Sequence, residues 1–200
     1  MRTCVAKLDV HDAILDAAEH LLSLYGYNKT TVDDIAQEAG IGKGTIYLHF
    51  RGKEEIAVSW IDRLNQRVRA RLEEIAESGD PPAERIRGML IARVMLRFEY
   101  ASNHDKSLDE LLAAVRPLLL LNRQRWHEAE AEILARVLVE GNERGVFALD
   151  DALCMARTLV LGTNSLLPYN LSVRQLGERE EIEKSVSRMA ELLLNGLLAR

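Results

Sequence analysis

Residues 30–55 decide the fold of this chain, and they read TTVDDIAQEAGIGKGTIYLHFRGKEE. Thr31 is a typical helix N-cap residue, and the two aspartates just after it place negative charge at the positive end of a helix dipole. The apolar spacing predicts short helices over 32–38 and 43–49, joined by a turn of small residues at 39–42. Two short helices with this spacing are typical of a helix-turn-helix.

Helical periodicity continues through the rest of the chain, and no run alternates apolar and polar residues as a half-buried strand does. The sequence therefore predicts an all-α protein of about nine helices. A proline lacks the backbone N–H that a helix interior uses, so we expect Pro117 to separate two helices. The other predicted segments are 9–25, 53–78, 83–101, 105–115, 117–144, 150–167 and 177 or 178 to 198.

The composition is that of a globular protein. The 200 residues are 48% hydrophobic and 28% charged, which is enough to bury a core without disulfides. No apolar run approaches the roughly 20 residues of a membrane span, and none has the form of a signal peptide. We therefore expect a cytoplasmic protein that makes no membrane contact. Cys4 and Cys154 have no metal-ligand spacing, so we expect free thiols.

The outer face of the second short helix carries residue types that read DNA. A helix-turn-helix places the N-terminal part of this helix in the major groove. Lys43 can donate to guanine acceptors, and the methyl group of Thr45 can contact thymine. Tyr47 and Lys53 can reach phosphates, and so can the backbone N–H of Thr31 at a helix N-terminus.

The charge balance limits how this segment can bind nucleic acid. The net charge of −5 argues against coating by bulk charge. Four basic residues nevertheless lie in or beside the helix-turn-helix segment, namely Lys29, Lys43, Arg51 and Lys53. Affinity should therefore depend on the placement of charge rather than on its total.

The stretch GIGKGTIYLHF at 40–50, followed three residues later by Lys53, closely resembles the DNA-binding segment of the TetR family of bacterial transcriptional regulators. The resemblance covers the chain from the first helix to the start of the fourth, and the remainder is similar only in length and helical character. It implies a homodimeric repressor whose helix-turn-helix binds a palindromic operator in double-stranded DNA. It also implies that an unidentified small-molecule effector binds the C-terminal domain and releases the DNA.

The resemblance implies two domains, with DNA binding in 1–53 and effector binding and dimerisation in 54–200. The DNA contacts that it implies are Thr31, Lys43, Gly44, Thr45, Tyr47, His49 and Lys53. The family often has a serine before the second short helix, and Gly42 here cannot supply a hydroxyl to phosphate. From the residues alone, Tyr47 also fits a partly buried position, and His49 also fits a helix C-terminal cap.

Polar residues on apolar helix faces are the candidates for the effector site, because such groups must be paired or must meet a ligand. Arg93 and Arg97 lie one turn apart within the most apolar predicted helix, and Glu130 shares the apolar face of another. An internal salt bridge among these residues is the alternative. The candidate effector contacts are Arg93, Arg97, Tyr100, Arg123, Trp126, Glu130 and Asn164.

The last two predicted helices are candidates for the dimer interface. Each has one apolar stripe with small residues that allow a close approach between helices. Paired with their symmetry mates, they would form a four-helix bundle across a two-fold axis, and burial in a monomer core is the alternative. The predicted contacts are Ala156, Leu159, Val160, Thr163, Leu167, Ile182, Val186, Met189, Leu193 and Gly196.

Two other classes of protein compete with a DNA-binding regulator. For an enzyme, the histidines form no metal-binding pair, and the glycine-rich segment lacks the preceding strand and the spacing of a phosphate loop. We therefore expect no catalytic residue, metal or cofactor. An all-α adaptor would instead present its helix-turn-helix to a protein partner. Sequence-specific, salt-dependent duplex binding distinguishes the regulator from the adaptor.

Overall fold

The computed structural model describes residues 10–103, 105–167, 175 and 177–197, so Cys4 lies outside the described residues. Within them the chain forms eight α-helices and no β-strand, which confirms the all-α prediction. The helices are α1 (Val10–Tyr25), α2 (Val32–Glu38), α3 (Lys43–His49), α4 (Lys53–Ala76), α5 (Pro82–Asn103), α6 (Asp105–Glu143), α7 (Ala152–Gly162) and α8 (Arg179–Asn195).

The amphipathic stripe of α1 packs inward. Ile14 and Ala18 are fully buried and Leu21 is nearly so, whereas Tyr25, which continues the same helical spacing, is 59% exposed. The helix ends at Gly26, whose φ of 82° lies in the left-handed region that favours glycine. The chain then turns back toward α2, whose bounds and those of α3 agree with the sequence prediction.

The predicted break at Pro117 is wrong, because α6 continues through this proline as one helix. A proline inside a helix costs about 3 kcal/mol or more. Leu111, Val115 and Leu119 are buried on one face across this position, so side-chain packing supports the helix on both sides of the proline. Pro117 itself is exposed. This single long helix reduces the predicted nine helices to eight in the described part of the chain.

The helix predicted over 150–167 is shorter than expected. Asp151 caps the start of α7 by accepting a hydrogen bond of 2.9 Å from the backbone N–H of Cys154. The helix ends at Gly162, and a short 3-10 turn follows over Asn164–Leu166. Arg93 donates to the backbone carbonyl of Val160 at 3.1 Å, so a side chain from another helix binds the last turn.

The described residues fall into two compact units. The first takes residues within Met1–Arg63 and His104–Leu119, and the second takes residues within Leu64–Asn103 and Leu120–Arg200. α4 and α6 each pass from one unit into the other. The domain boundary expected after residue 53 stays a prediction.

The second unit is organised around α5. Met89 lies in a buried cluster with Leu134 of α6, and Phe98 lies in another with Ile182 and Val186 of α8. The most apolar of the predicted helices is thus buried on more than one side. Among the described helices, none combines the length and apolar character needed to cross a membrane.

Candidate DNA interface and effector region

The N-terminus of α2 is closed by a capping box. The Thr31 hydroxyl accepts from the Asp34 N–H at 3.2 Å, and the Thr31 N–H donates to the Asp34 carboxylate at 2.8 Å. The Asp34 carboxylate also accepts from the Thr31 hydroxyl at 2.7 Å, and this bond, together with the one from the Thr31 N–H, lowers the pKa of Asp34. The phosphate contact predicted for the Thr31 backbone N–H stays a prediction, and it competes with this internal hydrogen bond.

The turn between α2 and α3 depends on Gly40. Its φ of 66° lies in the left-handed region, where a side chain would be strained. The N–H groups of Gly40 and Ile41 donate to the carbonyls of Gln37 and Ala36 at 3.1 and 3.0 Å, which satisfies the end of α2. These bonds fix the direction in which the chain enters α3.

The two faces of α3 differ sharply in burial. Ile46 is fully buried and Phe50, just after the helix, is 3% exposed, so this side anchors α3 to the rest of its unit. On the other side Tyr47 is 51% exposed. Lys43, Gly44 and His49 are also exposed, and Thr45 is half-buried. The outward orientation expected for Lys43, Gly44 and Tyr47 is therefore observed.

On the outer face of α3, Lys43 supplies a charged group and Gly44 leaves its backbone uncovered. The Lys43 ammonium lies 2.7 Å from a carboxylate oxygen of Asp33, and this hydrogen bond raises the pKa of Lys43. The pair is exposed, so water and salt weaken it and the lysine can exchange to another acceptor. At Gly44 the space that a side chain would take is empty within 4 Å, so another molecule can approach this backbone closely.

Sequence reasoning missed Leu48. Its side chain is 83% exposed on α3, between the exposed Tyr47 and His49. A large apolar residue so exposed on a recognition helix is suited to contact a thymine methyl group or a sugar. Its position next to Tyr47 could have indicated that Leu48 lies on the outer face, but a leucine in a helix is normally assigned to the core.

Lys53 has a structural role that the sequence did not indicate. Its ammonium donates to the backbone carbonyls of Tyr27 and Thr30 at 2.8 and 3.0 Å, and it lies 4.2 Å from the centre of the Tyr27 ring. Burial raises the pKa of Tyr27 to about 12, and the negative charge of Glu54 and a hydrogen bond to it add to this. Lys53 thus binds the loop that precedes α2, and its predicted phosphate contact competes with these bonds.

Four predicted effector residues form a buried polar network in the second unit. Glu130 accepts from Arg93 Nε at 2.7 Å and also from Arg97, and all three side chains are at most 1% exposed. Arg93 further donates to the Asn164 side chain at 3.1 Å and contacts Thr163, and Arg97 donates to Asn65 at 2.7 Å. The internal salt bridge left open by the sequence is therefore present.

The charges of the network determine how Glu130 ionises. Burial by itself opposes ionisation, but the charges of Arg97 and Arg93 and their hydrogen bonds outweigh it and lower the pKa of Glu130 to about 2. The carboxylate is thus ionised at neutral pH. Asn65 and Thr163, which the sequence did not assign to this region, complete the network, and neither shows a sequence signal beyond being a polar residue among apolar ones.

The other three predicted effector residues are Tyr100, Trp126 and Arg123. Tyr100 has the guanidinium of Arg67 6.0 Å from its ring centre. Trp126 is 6% exposed within the core. Arg123 is half-buried and lines a cavity of about 730 Å³ between α6 and α7. The residues that line this cavity are Leu120, Arg123, Gln124, His127, Glu128, Arg157, Val160 and Leu161.

Most of the predicted dimer stripe is buried within a single chain, which favours the alternative of a monomer core for these residues, and the dimer contact itself stays a prediction. Seven of its members are at most 3% exposed within one subunit: Ala156, Leu159, Val160, Thr163, Leu167, Ile182 and Val186. An apolar helix face can be buried by its own chain or by a second subunit. The spacing of apolar residues is the same in both cases, so the sequence does not distinguish core from interface. Met189 and Leu193 are half-buried and Gly196 is exposed, so these three stay accessible.

No group of His, Cys, Asp and Glu side chains in the described part of the chain is arranged to hold a metal ion. Cys154 is a free, exposed thiol. The outer face of α3 offers hydrogen bonding and apolar contact, which suit recognition of another molecule.

The anchored and outward-facing α3, held behind a capped α2, defines a helix-turn-helix DNA-binding protein. A sequence model of the family described as "Bacterial regulatory proteins, tetR family" matches residues 14–59. The HTH-type transcriptional repressor KstR2 of Mycobacterium tuberculosis is 30% identical over 142 residues, which are 68% of each chain. The chain therefore belongs to the TetR family, a family of bacterial transcriptional regulators rather than of enzymes.

Two other comparisons also match transcriptional regulators, one over less than half of this chain and one over nearly all of it. The HTH-type transcriptional regulator LmrA of Bacillus subtilis is 35% identical over 83 residues, and this match spans only 44% of its length and 41% of this chain. A crystal structure of a transcriptional regulator from Cytophaga hutchinsonii shares the fold, with a TM-score of 0.76 at 22% identity. That similarity covers 94% of this chain and 98% of the other, so the fold is shared well beyond the helix-turn-helix.

The Lys53 contacts predict a loss of stability when the ammonium is removed. Lys53→Met should lower the free energy of unfolding by about 1–3 kcal/mol, because two carbonyls lose a charged donor. Chemical unfolding followed by circular dichroism measures this. Lys29→Met, which changes an exposed lysine of the same loop, is the matched control and should unfold like the wild type. Equal midpoints for both variants would leave Lys53 without a structural role.

The network predicts a larger loss when its carboxylate is neutralised. Glu130→Gln should lower the free energy of unfolding by about 3–5 kcal/mol, because two buried guanidiniums lose their counter-charge. Glu128→Gln is the control, since that exposed carboxylate pairs with Arg157 at the surface, where such pairs contribute about 0–1 kcal/mol. If the two variants unfold alike, the network does not stabilise the core.

The same carboxylate gives the sign of the pH dependence. Because its folded pKa of about 2 lies below the ordinary 4.5, its stabilisation is complete above pH 4.5 and is lost as pH falls toward 2. The wild type should lose stability across this interval more steeply than Glu130→Gln, as measured by thermal unfolding at a series of pH values.

Proposed function

We propose that this chain is a ligand-responsive repressor that binds a palindromic operator as a homodimer and releases it when a small molecule binds the C-terminal helices. One observation carries the proposal: α3 is anchored by buried Ile46 and Phe50 while Tyr47 and Leu48 are exposed on its other side. A helix held in this way can enter the major groove without unfolding its own unit. The relative named a transcriptional repressor supports repression rather than activation.

The proposed DNA contacts follow the exposure of α3. Lys43 and Thr45 would contact base edges in the groove, and the open backbone at Gly44 allows close approach to the duplex. Tyr47 and His49 would contact phosphates from either side of Leu48. Thr31 and Lys53 would also contact the DNA backbone. Because both already donate hydrogen bonds within the chain, these contacts would have to compete with the internal bonds.

Release is proposed as a shift between two states of the dimer. An effector changes DNA affinity only as far as it binds one state more tightly than the other. α4 and α6 give the covalent connection, since each passes from one compact unit into the other. In the first unit, Glu110 of α6 accepts a hydrogen bond of 3.3 Å from the N–H of Asn28, in the loop before α2.

Selection of bound duplexes from a random pool tests the proposal. The purified protein should enrich a palindrome whose half-sites are one helical turn apart, roughly 34–36 Å, or a multiple of it. The selection is repeated after unfolding and refolding, which removes any copurified effector. No enrichment in either experiment, with capture of a protein partner through α3, would favour the adaptor instead.

Tyr47→Ala should abolish binding to the selected operator, because it removes the largest polar side chain of the exposed α3 face. Helix content and oligomeric state should not change, since the side chain packs against little of its own chain. Tyr25→Ala is the matched control, because Tyr25 is 59% exposed in the same unit but lies on α1. Fluorescence anisotropy with labelled operator is the measurement. Full binding by Tyr47→Ala would contradict the role given to α3.

The subunit contact is proposed on the accessible face of α8. Leu192 is 74% exposed there, and Met189, Leu193 and Gly196 are the members of the predicted stripe that are still accessible beside it. Two copies of this face would bury the leucines across a two-fold axis.

Leu192→Glu should convert the dimer to monomer, because symmetry places the new charge in the contact of both subunits. Light scattering coupled to size-exclusion chromatography measures the change in mass. Leu121→Glu is the matched control, since Leu121 is 78% exposed but lies on α6. A dimer that survives Leu192→Glu and dissociates with Leu121→Glu would move the interface to α6.

A further inference from the structure

The cavity between α6 and α7 has the size of a small-molecule site. Its volume of about 730 Å³ falls in the range that small organic ligands occupy. All eight lining residues belong to the second unit, so the cavity is formed by one compact body. Its wall is mixed, with leucine side chains beside arginine and histidine.

The charged groups of the wall leave one cation available. Arg157 and Glu128 bind each other, with Arg157 Nε 3.0 and 3.2 Å from the two carboxylate oxygens, so their charges compensate. Arg123 is half-buried on the same wall, and it makes no hydrogen bond or ion pair with the residues that the structure describes. A guanidinium that is partly withdrawn from water in this way favours an anionic partner, and its planar fork matches a carboxylate.

His127 adds a neutral hydrogen-bond donor to the wall of the cavity. His127 lies one helical turn from Arg123 on α6. Burial lowers the pKa of His127 to about 4. The charge of Glu130 opposes this shift, and the charges of Arg93, Arg123 and Arg97 add to it. The imidazole is therefore neutral at physiological pH and can donate one N–H to an acceptor without adding a second full charge.

The apolar side chains of the cavity wall are accessible to solvent. Leu120 of α6 is 55% exposed and Leu161 of α7 is 61% exposed, and both line the cavity with Val160. Covering such side chains with hydrocarbon removes apolar area from water. An occupant that is wholly polar would leave this part of the site unused.

We propose that this cavity binds an organic monoanion, a carboxylate with an attached hydrocarbon chain. Arg123 binds the carboxylate, and Leu120 and Leu161 cover the chain. One free guanidinium matches one negative charge, which favours a carboxylate over a dianionic phosphate. The inference rests on the proposed function in one respect, because it identifies this ligand class with the effector that releases the operator.

Calorimetry with decanoate tests the site directly. The wild type should bind decanoate, and it should bind decan-1-ol, decyltrimethylammonium and acetate at least about ten-fold more weakly, since each lacks either the charge or the chain. Arg123→Gln should reduce decanoate affinity by at least about ten-fold. Arg125→Gln, which changes an exposed arginine of α6 outside the cavity lining, is the matched control and should bind like the wild type.

A second variant keeps the test informative if Arg123→Gln folds poorly. Leu161→Ala changes an exposed side chain and should weaken decanoate more than hexanoate. No binding of decanoate, or equal affinity for decanoate and decan-1-ol, would overturn the inference. So would unchanged decanoate affinity in Arg123→Gln.

Operator binding separates this inference from the proposed function. A protein that selects a palindrome but does not bind decanoate retains its proposed function and refutes the ligand class. A protein that binds decanoate through Arg123 but selects no duplex retains the site and refutes the repressor. Decanoate that binds through Arg123 should also reduce operator affinity, and unchanged operator affinity would refute its role as effector.

Discussion

The ionised carboxylate of Glu130, held between Arg93 and Arg97, is the constraint on which the second unit depends. Charges removed from water destabilise a fold unless they are paired and fully hydrogen bonded, and here the partners come from four helices. Asn65 belongs to α4, the arginines to α5, Glu130 to α6, and the Val160 carbonyl to α7. Because each bond has a required direction, these helices cannot slide past one another without breaking several bonds together. Such a core favours a small number of discrete arrangements over continuous deformation.

This constraint gains its functional meaning from the helices that carry it. α4 begins with Lys53, which binds the loop before α2, and it continues to Asn65 in the network. α6 includes Glu110, which accepts a hydrogen bond from the same loop, and it continues to Glu130. The same two helices thus supply both the groups that position the helix-turn-helix and the groups that form the buried network. In the proposed release, α4 and α6 would connect a two-state change in the network to this loop, provided that both effector and operator bias that change.

Local signals predicted the helix-turn-helix well, and long-range packing explains what the sequence could not predict. Thr31 and Gly40 act within a few residues of themselves, so the bounds of α2 and α3 follow from the sequence. Pro117 also acts locally, but burial on both sides of it outweighs its effect on α6. The sequence identified Arg93 and Glu130 as unusual polar residues, but pairing across 37 positions depends on the tertiary fold. The dimer stripe shows a related limit, since periodicity indicates that a helix face is buried but not which chain buries it.

The α2–α3 face shows how an acidic protein can address DNA. Its lysines are already engaged, Lys43 by Asp33 and Lys53 by backbone carbonyls, so the face does not offer a dense array of free cations. Phosphate neutralisation gives affinity without sequence information, whereas contacts to base edges and methyl groups give sequence information. The exposed groups of α3 are largely neutral, namely the Tyr47 phenol, the Leu48 side chain and the open backbone of Gly44. Such a face gains relatively little binding free energy from a duplex of arbitrary sequence and more from a duplex that carries the operator sequence. With the contacts proposed for α3, discrimination between sequences would come from fit in the groove. The Lys43–Asp33 pair would add to it, because Asp33 would repel a misplaced phosphate while Lys43 would exchange to a correctly placed guanine.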